Sequence, residues 1–320
     1  MFQLSQFDRY FADDGPAALV IREHLMPVEG PDGVLFPATF AAGDGFPGGY
    51  NIDTFGDGAN GSNVCLIDSV GSQANRIEPM FSREKYRHLI PQIVIKAGTR
   101  DVNILEIGHR AGDALLRCST LQKELQDAFR AELAGDCEPL AQIAPTSLVF
   151  GVWDSRDTQS KRPRLVSSCI RAFNVRRLTR GAVYIPPLDY AELDVFSEED
   201  KAKAEGNNKS PLAQRGFVHS PASAQHGGVI ADGGIRRDAT LGLAALRHLH
   251  VGDNVDKTLV LRRFILGLSL VAFTAPPESY LRQGCILVLD PSQPREFSEV
   301  YPDGRRQPCD VTHDAALEFA

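Results

Sequence analysis

The chain has 320 residues, 43% of them hydrophobic and 23% charged, with a formal net charge of −7 and a pI near 5.6. That length suits one large domain or two small ones, and the composition is that of an ordinary globular fold. The acidic balance excludes a protein that coats duplex DNA with a basic surface, so any nucleic-acid contact has to be confined to a groove.

Six cysteines, at 65, 118, 137, 169, 285 and 309, include no C-x-x-C pair. A zinc ribbon is therefore not expected, and the scatter fits reduced thiols in a cytoplasmic protein. The N-terminal MFQLSQFDRYFADDGP has neither a basic n-region nor an apolar h-region, so no signal peptide is expected. Residues 1–63 hold nine acids, two bases and ten glycines and read as an acidic, Gly-rich extension of extended chain and turns. Gly56 to Gly61 matches G-x-G-x-x-G, but a strand-like NVCLI follows it, where a dinucleotide site needs a helix. The reading is a turn, and no P-loop occurs.

Val64–Ile67 reads as a short buried strand, after which Ser72 is placed as a helix cap with Asn75 and Arg76 in the first turn. Leu89–Val94 and Val102–Ile107 look like strands, and His109–Cys118 looks helical. Ser119 and Gln122 form a capping box for a second helix, with Leu121, Leu125, Ala128, Phe129 and Leu133 as its buried stripe and Gly135 as its stop. Ser147–Trp153 alternates like a strand, and Ile170–Leu178 reads as another. Residues 189–211 look like an acidic mobile insertion. Residues 226–237 read as a Gly-rich hairpin ending in Arg236 and Arg237, with Asp238 capping a helix. The apolar run 264–275 is too short to span a bilayer and suits a core strand or helix. Strands and helices mix without regular alternation, which points to an α+β fold.

The stretch 150–180 stands apart. It carries eight basic residues (Arg156, Lys161, Arg162, Arg164, Arg171, Arg176, Arg177 and Arg180) against Asp154 and Asp157, a net charge of +6. The remainder of the chain therefore carries −13. Seven of the eight are arginines, suited to planar contacts with phosphate, and Phe150, Trp153 and Phe173 lie among them. Arginine with aromatics is the mixture that holds single-stranded nucleic acid by charge neutralisation and base stacking. A solvated basic surface, or arginines paired with acids elsewhere, is the plainer alternative.

Five stretches then resemble a known family in one order along the chain: DSVGSQANRIE (68–78), EIGHRAGDALLR (106–117), FGVWDSR (150–156), PRLVSSCIRAFNV (163–175) and HGGVIADGGIRRDATLGLAALR (226–247). They are similar to the backbone subunit of type I CRISPR interference complexes, in the RAMP superfamily, and most of all to the type I-G variant, formerly I-U. The resemblance implies a single RRM-like (ferredoxin-like) domain over 1–320 with large insertions. It also implies a non-catalytic protein that polymerises along the guide RNA (crRNA) and presents it for pairing with single-stranded target DNA, beside other subunits of the effector complex. No cofactor, metal or membrane contact is implied. The candidate RNA contacts are Ser72, Gln73, Asn75 and Arg76 at the helix start, then Arg110. In the basic stretch they are Trp153, Arg156, Lys161, Arg162, Arg164, Arg171, Arg176 and Arg177, and in the Gly-rich segment His226, Arg236 and Arg237. The competing reading is a RAMP ribonuclease, in which Asp154 and Asp157 with His219 or His226 act on a ribose 2′-OH.

Overall fold

The computed structural model describes residues 4–56 and 61–320. In chain order, the elements that build the site are strands β1 (Ala18–Pro27), β2 (Ile52–Phe55) and β3 (Ser62–Asp68), then helices α1 (Val70–Ile77), α2 (Gln122–Leu133) and α3 (Thr146–Phe150). There follow β4 (Val152–Trp153), β5 (Lys161–Arg162), β6 (Val166–Phe173), β7 (Val175–Tyr184), β8 (Ser220–Ala231) and β9 (Ile235–Gly242). Helix α4 (Val255–Thr274), β10 (Cys285–Leu289) and β11 (Glu296–Val300) complete them.

The fold is α+β, built on one antiparallel sheet. β1 pairs with β9, β9 with β6, β6 with β3 and β3 with β2. Its other side is shared: β11 pairs with Ala18–Arg22 and β10 with Leu25–Pro27. Strands β11, β1, β9 and β6 thus lie side by side as fourth, first, third and second in chain order, the order that a βαββαβ arrangement requires. Alternation decides which face is covered. Leu19, Ile21, Glu23 and Leu25 of β1 are buried while their neighbours are half-exposed, and β9 repeats the pattern. One end of this face packs under α4, α3 and α1, with Leu241, Ile265, Leu270 and Phe273 in its core. The other end packs Leu25, Cys65, Ala172 and Ile235 against Leu35, Tyr50, Val175 and Val229. A polar belt of Glu23, Arg237, Ser168, Gln73 and Asp68 separates the two cores.

The apolar run is α4, capped by Asn254 through the Lys257 amide and buried on every side from Ile265 to Thr274. Each such Leu, Ile or Phe contributes about 1.5–3 kcal/mol relative to an exposed one. Among the described residues, no helix is long and apolar enough to cross a membrane.

Several sequence expectations are corrected. The N-cap of α1 is Ser69, whose Oγ accepts the Ser72 amide at 3.2 Å, and Ser72 instead donates to Asp68. The 1–63 segment is no mere extension, because β1 lies inside the sheet, flanked by β9 on one side and by β10 and β11 on the other. Of the expected strands Leu89–Val94 and Val102–Ile107, only Val94 and Val102–Asn103 are strand: a hairpin of Val94–Ala97 and Arg100–Asn103 turns at Gly98, and Asn103 caps a 3-10 turn that buries Ile104 and Leu105. Asp113 interrupts the expected 109–118 helix by capping a new short one at Ala114–Arg117. Ser119 caps a turn at Leu121, so α2 starts at Gln122, although Gly135 does end it at φ +92. On α2 the stripe closes with buried Glu132, and Leu133 is 58% exposed. The 147–153 segment is mostly the buried helix α3, and strand pairing is left to two residues.

Asn174, at φ +48, breaks 170–178 into two strands, and the Asn63 side chain braces the break by bonding both backbone groups of Val175. Residues 226–237 do not form a hairpin with themselves. β8 pairs with β7, β9 pairs with β1 and β6, and the turn at 232–234 passes the chain from ribbon to sheet. Asp238 accordingly lies within β9, and the next helix starts at Leu243. The acidic insertion contains a helix, Glu198–Ala204, capped by Ser197. Residues 57–60 of the G-x-G-x-x-G match lie outside the described residues; Gly61 leads into β3, which pairs back on β2.

Candidate nucleic-acid interface

The site starts at the end of α3. Gly151 stops the helix at φ +81, and a β-carbon there would meet the Arg162 carbonyl and the Arg164 amide at 3.0 Å. Only glycine allows that turn and that approach. β4 then runs against β5, with Val152 opposite Arg162 and Trp153 opposite Lys161. This short ribbon holds Trp153 on the surface, 54% exposed, with the Lys161 ammonium 5.3 Å from its ring centroid.

Arg164 follows the ribbon and is exposed. Its guanidinium lies 4.0 Å from where a β-carbon on Gly71, in the first turn of α1, would sit. Asn75 of α1 comes within 3.5 Å of the equivalent point on Gly108. Gly108, His109, Arg110, Trp153, Lys161 and Arg164 line a groove of about 400 Å³. The start of α1, far from the basic ribbon in sequence, therefore lies beside Arg164 and Gly108, which line the groove. An exposed indole face can stack a base, and the ammonium and guanidinium beside it can neutralise phosphates.

Not every predicted contact is available. Arg110 is 3% exposed; its Nε donates to Glu78 at 2.6 Å, its Nη1 to the Gly151 carbonyl at 3.2 Å, and its guanidinium packs on Phe150. Burial pushes the Glu78 carboxyl up to about 7 even with Arg110 beside it. Arg110 is thus a strut behind the groove and not a surface contact. Gln73 is buried, donating to Asp68 and accepting from Ser168. Arg237 is buried against Glu23 at 2.6 Å. Arg162 is neutralised by Glu132, whose second oxygen takes the Ser160 hydroxyl.

The remaining candidates are dispersed. Arg76 is half-buried on Asp68. Arg171 pairs across β6–β9 with Arg236, and Arg236 in turn donates to Asp238 at 3.0 Å and sits over Phe173. Arg176 makes a two-pronged contact with Asp232, at 2.6 and 3.0 Å. Arg177 and Arg156 are exposed. His226 packs on Tyr50 with ring centroids 4.8 Å apart. A strand rise of about 3.3 Å per residue puts Arg171 roughly 16 Å along β6 from Val166, so the basic stretch is not one patch.

Asp154 is buried and accepts the Thr158 amide and hydroxyl, both at 2.8 Å, so it caps the loop before β5. Asp157 is exposed, and His219 lines a separate cavity with Lys201 and Glu205. Among the described residues, no group of three or more His, Cys, Asp or Glu is placed to hold a metal ion.

Sequence reasoning missed the acids that organise this region. Glu132 was legible as an acid three residues beyond Phe129, on the buried stripe of an amphipathic helix. Asp68 accepts from Ser72, Gln73, Arg76 and Arg282, and its tie to Arg282 could not be read because that partner is distant in sequence.

Residues 19–177 match the model of a family described as CRISPR-associated protein GSU0053. That segment contains every residue that lines the groove. No curated protein matches the chain.

Proposed function

Because residues 19–177 belong to a family of CRISPR-associated proteins, we propose that the protein is a non-catalytic guide-RNA-binding subunit of a type I interference complex. Copies line up along the crRNA and present it for pairing with single-stranded target DNA. The groove at the β4–β5 ribbon, beside α1, carries this reading: Trp153, Lys161 and Arg164 stand open together, in a chain whose net charge is −7. The strand order of the sheet supports an RRM-like core. The hydrogen bonds of Asp154 support a structural role for a residue otherwise available to a nuclease.

The test is binding of labelled single-stranded RNA by wild type and by a Lys161→Glu, Arg164→Glu variant over a range of salt, together with incubation on guide RNA with and without Mg²⁺. Tight, salt-sensitive binding that the variant loses supports the proposal. Cleavage at regular intervals places the protein among RNA-cutting RAMP subunits instead, and binding indifferent to salt or to the variant refutes the groove.

A further inference from the structure

Helix α1 has two sides. Gly71 and Asn75 lie beside residues that line the groove, whereas Gln73, Arg76 and Ile77 line a second cavity of about 370 Å³. That volume is in the range of small-molecule sites. Arg237 lines it from the sheet and Arg83 from the surface, and the far wall is the segment 275–279 that follows α4.

The charge around this cavity does not balance. Glu23 is shared by Arg237 and Arg295, at 2.6 and 2.9 Å. Asp68 is shared by Arg76 and Arg282, at 3.2 and 2.8 Å. Two of the arginines that line the cavity, Arg237 and Arg76, thus each share a carboxylate with a second arginine outside it, and none of the four makes another ion pair among the described residues. Arg237 Nη2 is buried with no hydrogen-bond partner among the described residues. A buried donor left unpaired costs free energy unless an anion supplies what is missing. Arg83 adds a further exposed cation at the rim, with no ion pair among the described residues. Among the described residues one acid lines the cavity, Glu278, which is exposed and accepts the Tyr280 amide at 3.3 Å.

Ile77, Met80, Tyr86, Pro276 and Pro277 supply apolar wall, beside the polar Gln73 and Ser279. The Tyr86 hydroxyl is already engaged by His313 at 2.9 Å, which leaves its ring as wall. A cavity that combines arginines with apolar wall fits a molecule with an oxyanion head and a flat apolar body. We propose that this cavity binds a free phosphate-bearing small molecule no larger than a mononucleotide, with the phosphate on Arg76, Arg83 and Arg237 and the base against Tyr86 and Met80. The site is separate from the RNA groove and does not depend on it.

The experiment is equilibrium dialysis of the full chain against labelled AMP, competed with inorganic phosphate. Arg237→Ala risks unfolding the protein, so the variant that carries the test is Arg83→Glu, at the exposed rim. The Lys161→Glu, Arg164→Glu variant serves as the groove control. Saturable binding of one AMP per chain, weakened by phosphate, weakened about tenfold or more by Arg83→Glu and unchanged in the groove control, is expected from the loss of a charge-assisted contact. Absence of saturable binding by either probe overturns the site. So does binding that Arg83→Glu leaves intact while the groove variant abolishes it, or binding seen with an oligonucleotide alone.

Discussion

At the scale of single residues, exposure and pairing separate the arginines and aromatics that can meet RNA from those that cannot. Trp153 presents a ring face to solvent with Lys161 close by. Stacking of a base on such a ring is worth about 1–3 kcal/mol by alanine substitution. Trp153→Ala is therefore expected to weaken single-stranded RNA binding by that amount in fluorescence anisotropy while leaving Tm nearly unchanged. Glu78 behaves in the opposite way, affecting the fold and not the surface. Its carboxyl rises from an ordinary value near 4.5 to about 7 because burial outweighs the pull of Arg110. The native state then binds more protons than the unfolded chain between those values, so stability falls as pH rises through that window and is flat above it. A shift of that size corresponds to about 3 kcal/mol. Chemical denaturation from pH 4 to 8 should show the decline, and Glu78→Gln should remove it; an unchanged pH profile in that variant would assign the slope to other groups.

At the scale of elements, β9 shows how neighbouring arginines acquire different roles from strand alternation alone. Arg236 faces the open side of the sheet, part-exposed on Asp238, while Arg237 faces inward on Glu23. Arg236→Ala is expected to change stability by less than about 1 kcal/mol, as exposed pairs do. Arg237→Ala is expected to cost about 3–5 kcal/mol by leaving Glu23 short of a buried partner, with Arg295 holding part of that charge. Urea titration of both variants checks the difference, and equal losses would contradict the inward placement. The same alternation explains what the sequence could show. Strand β3, the stop at Gly135 and the apolar run that became α4 were readable because each carries its own signal of period, turn residue or hydrophobicity. Helix α3 was not, since TSLVF is buried all round and has no period to distinguish helix from strand. The identity of the groove was half legible. Charge and aromatics marked 150–180, of which the groove takes only the first half, and the approach of α1 depends on how β3 and β6 bring distant segments together. The role of Arg110 was hidden for the same reason, because Glu78 and Gly151 reach it only through folding.

At the scale of the whole molecule, the proposed function requires that an acidic protein with a small basic groove avoid binding itself until RNA neutralises the groove and aligns the copies. Each phosphate contact should add about −0.7 to the slope of log K against log salt. A groove with Lys161 and Arg164 at its rim predicts a slope of a few such units per subunit, not the steep dependence of a protein coated in cations. Assembly along a strand needs a second contact, between neighbours, and helix Glu198–Ala204 offers one of opposite charge to the exposed arginines of β7. Its first turn carries Glu198, Glu199 and Asp200, capped by Ser197. Acids there also favour the helix dipole, so charge reversal would weaken the helix as well as any contact. The cleaner variant is Glu198→Gln with Glu199→Gln, which keeps Asp200 and its bond from the Ser197 hydroxyl. Light scattering on RNAs of increasing length is expected to show mass rising in steps for wild type and smaller steps or fewer copies for the variant, while affinity for a short RNA that holds one subunit stays the same. A one-to-one complex on long RNA for wild type would mean that the subunits do not line up. Equal growth in both proteins would mean that neighbours meet through another surface, leaving the acids of this helix to its own stability.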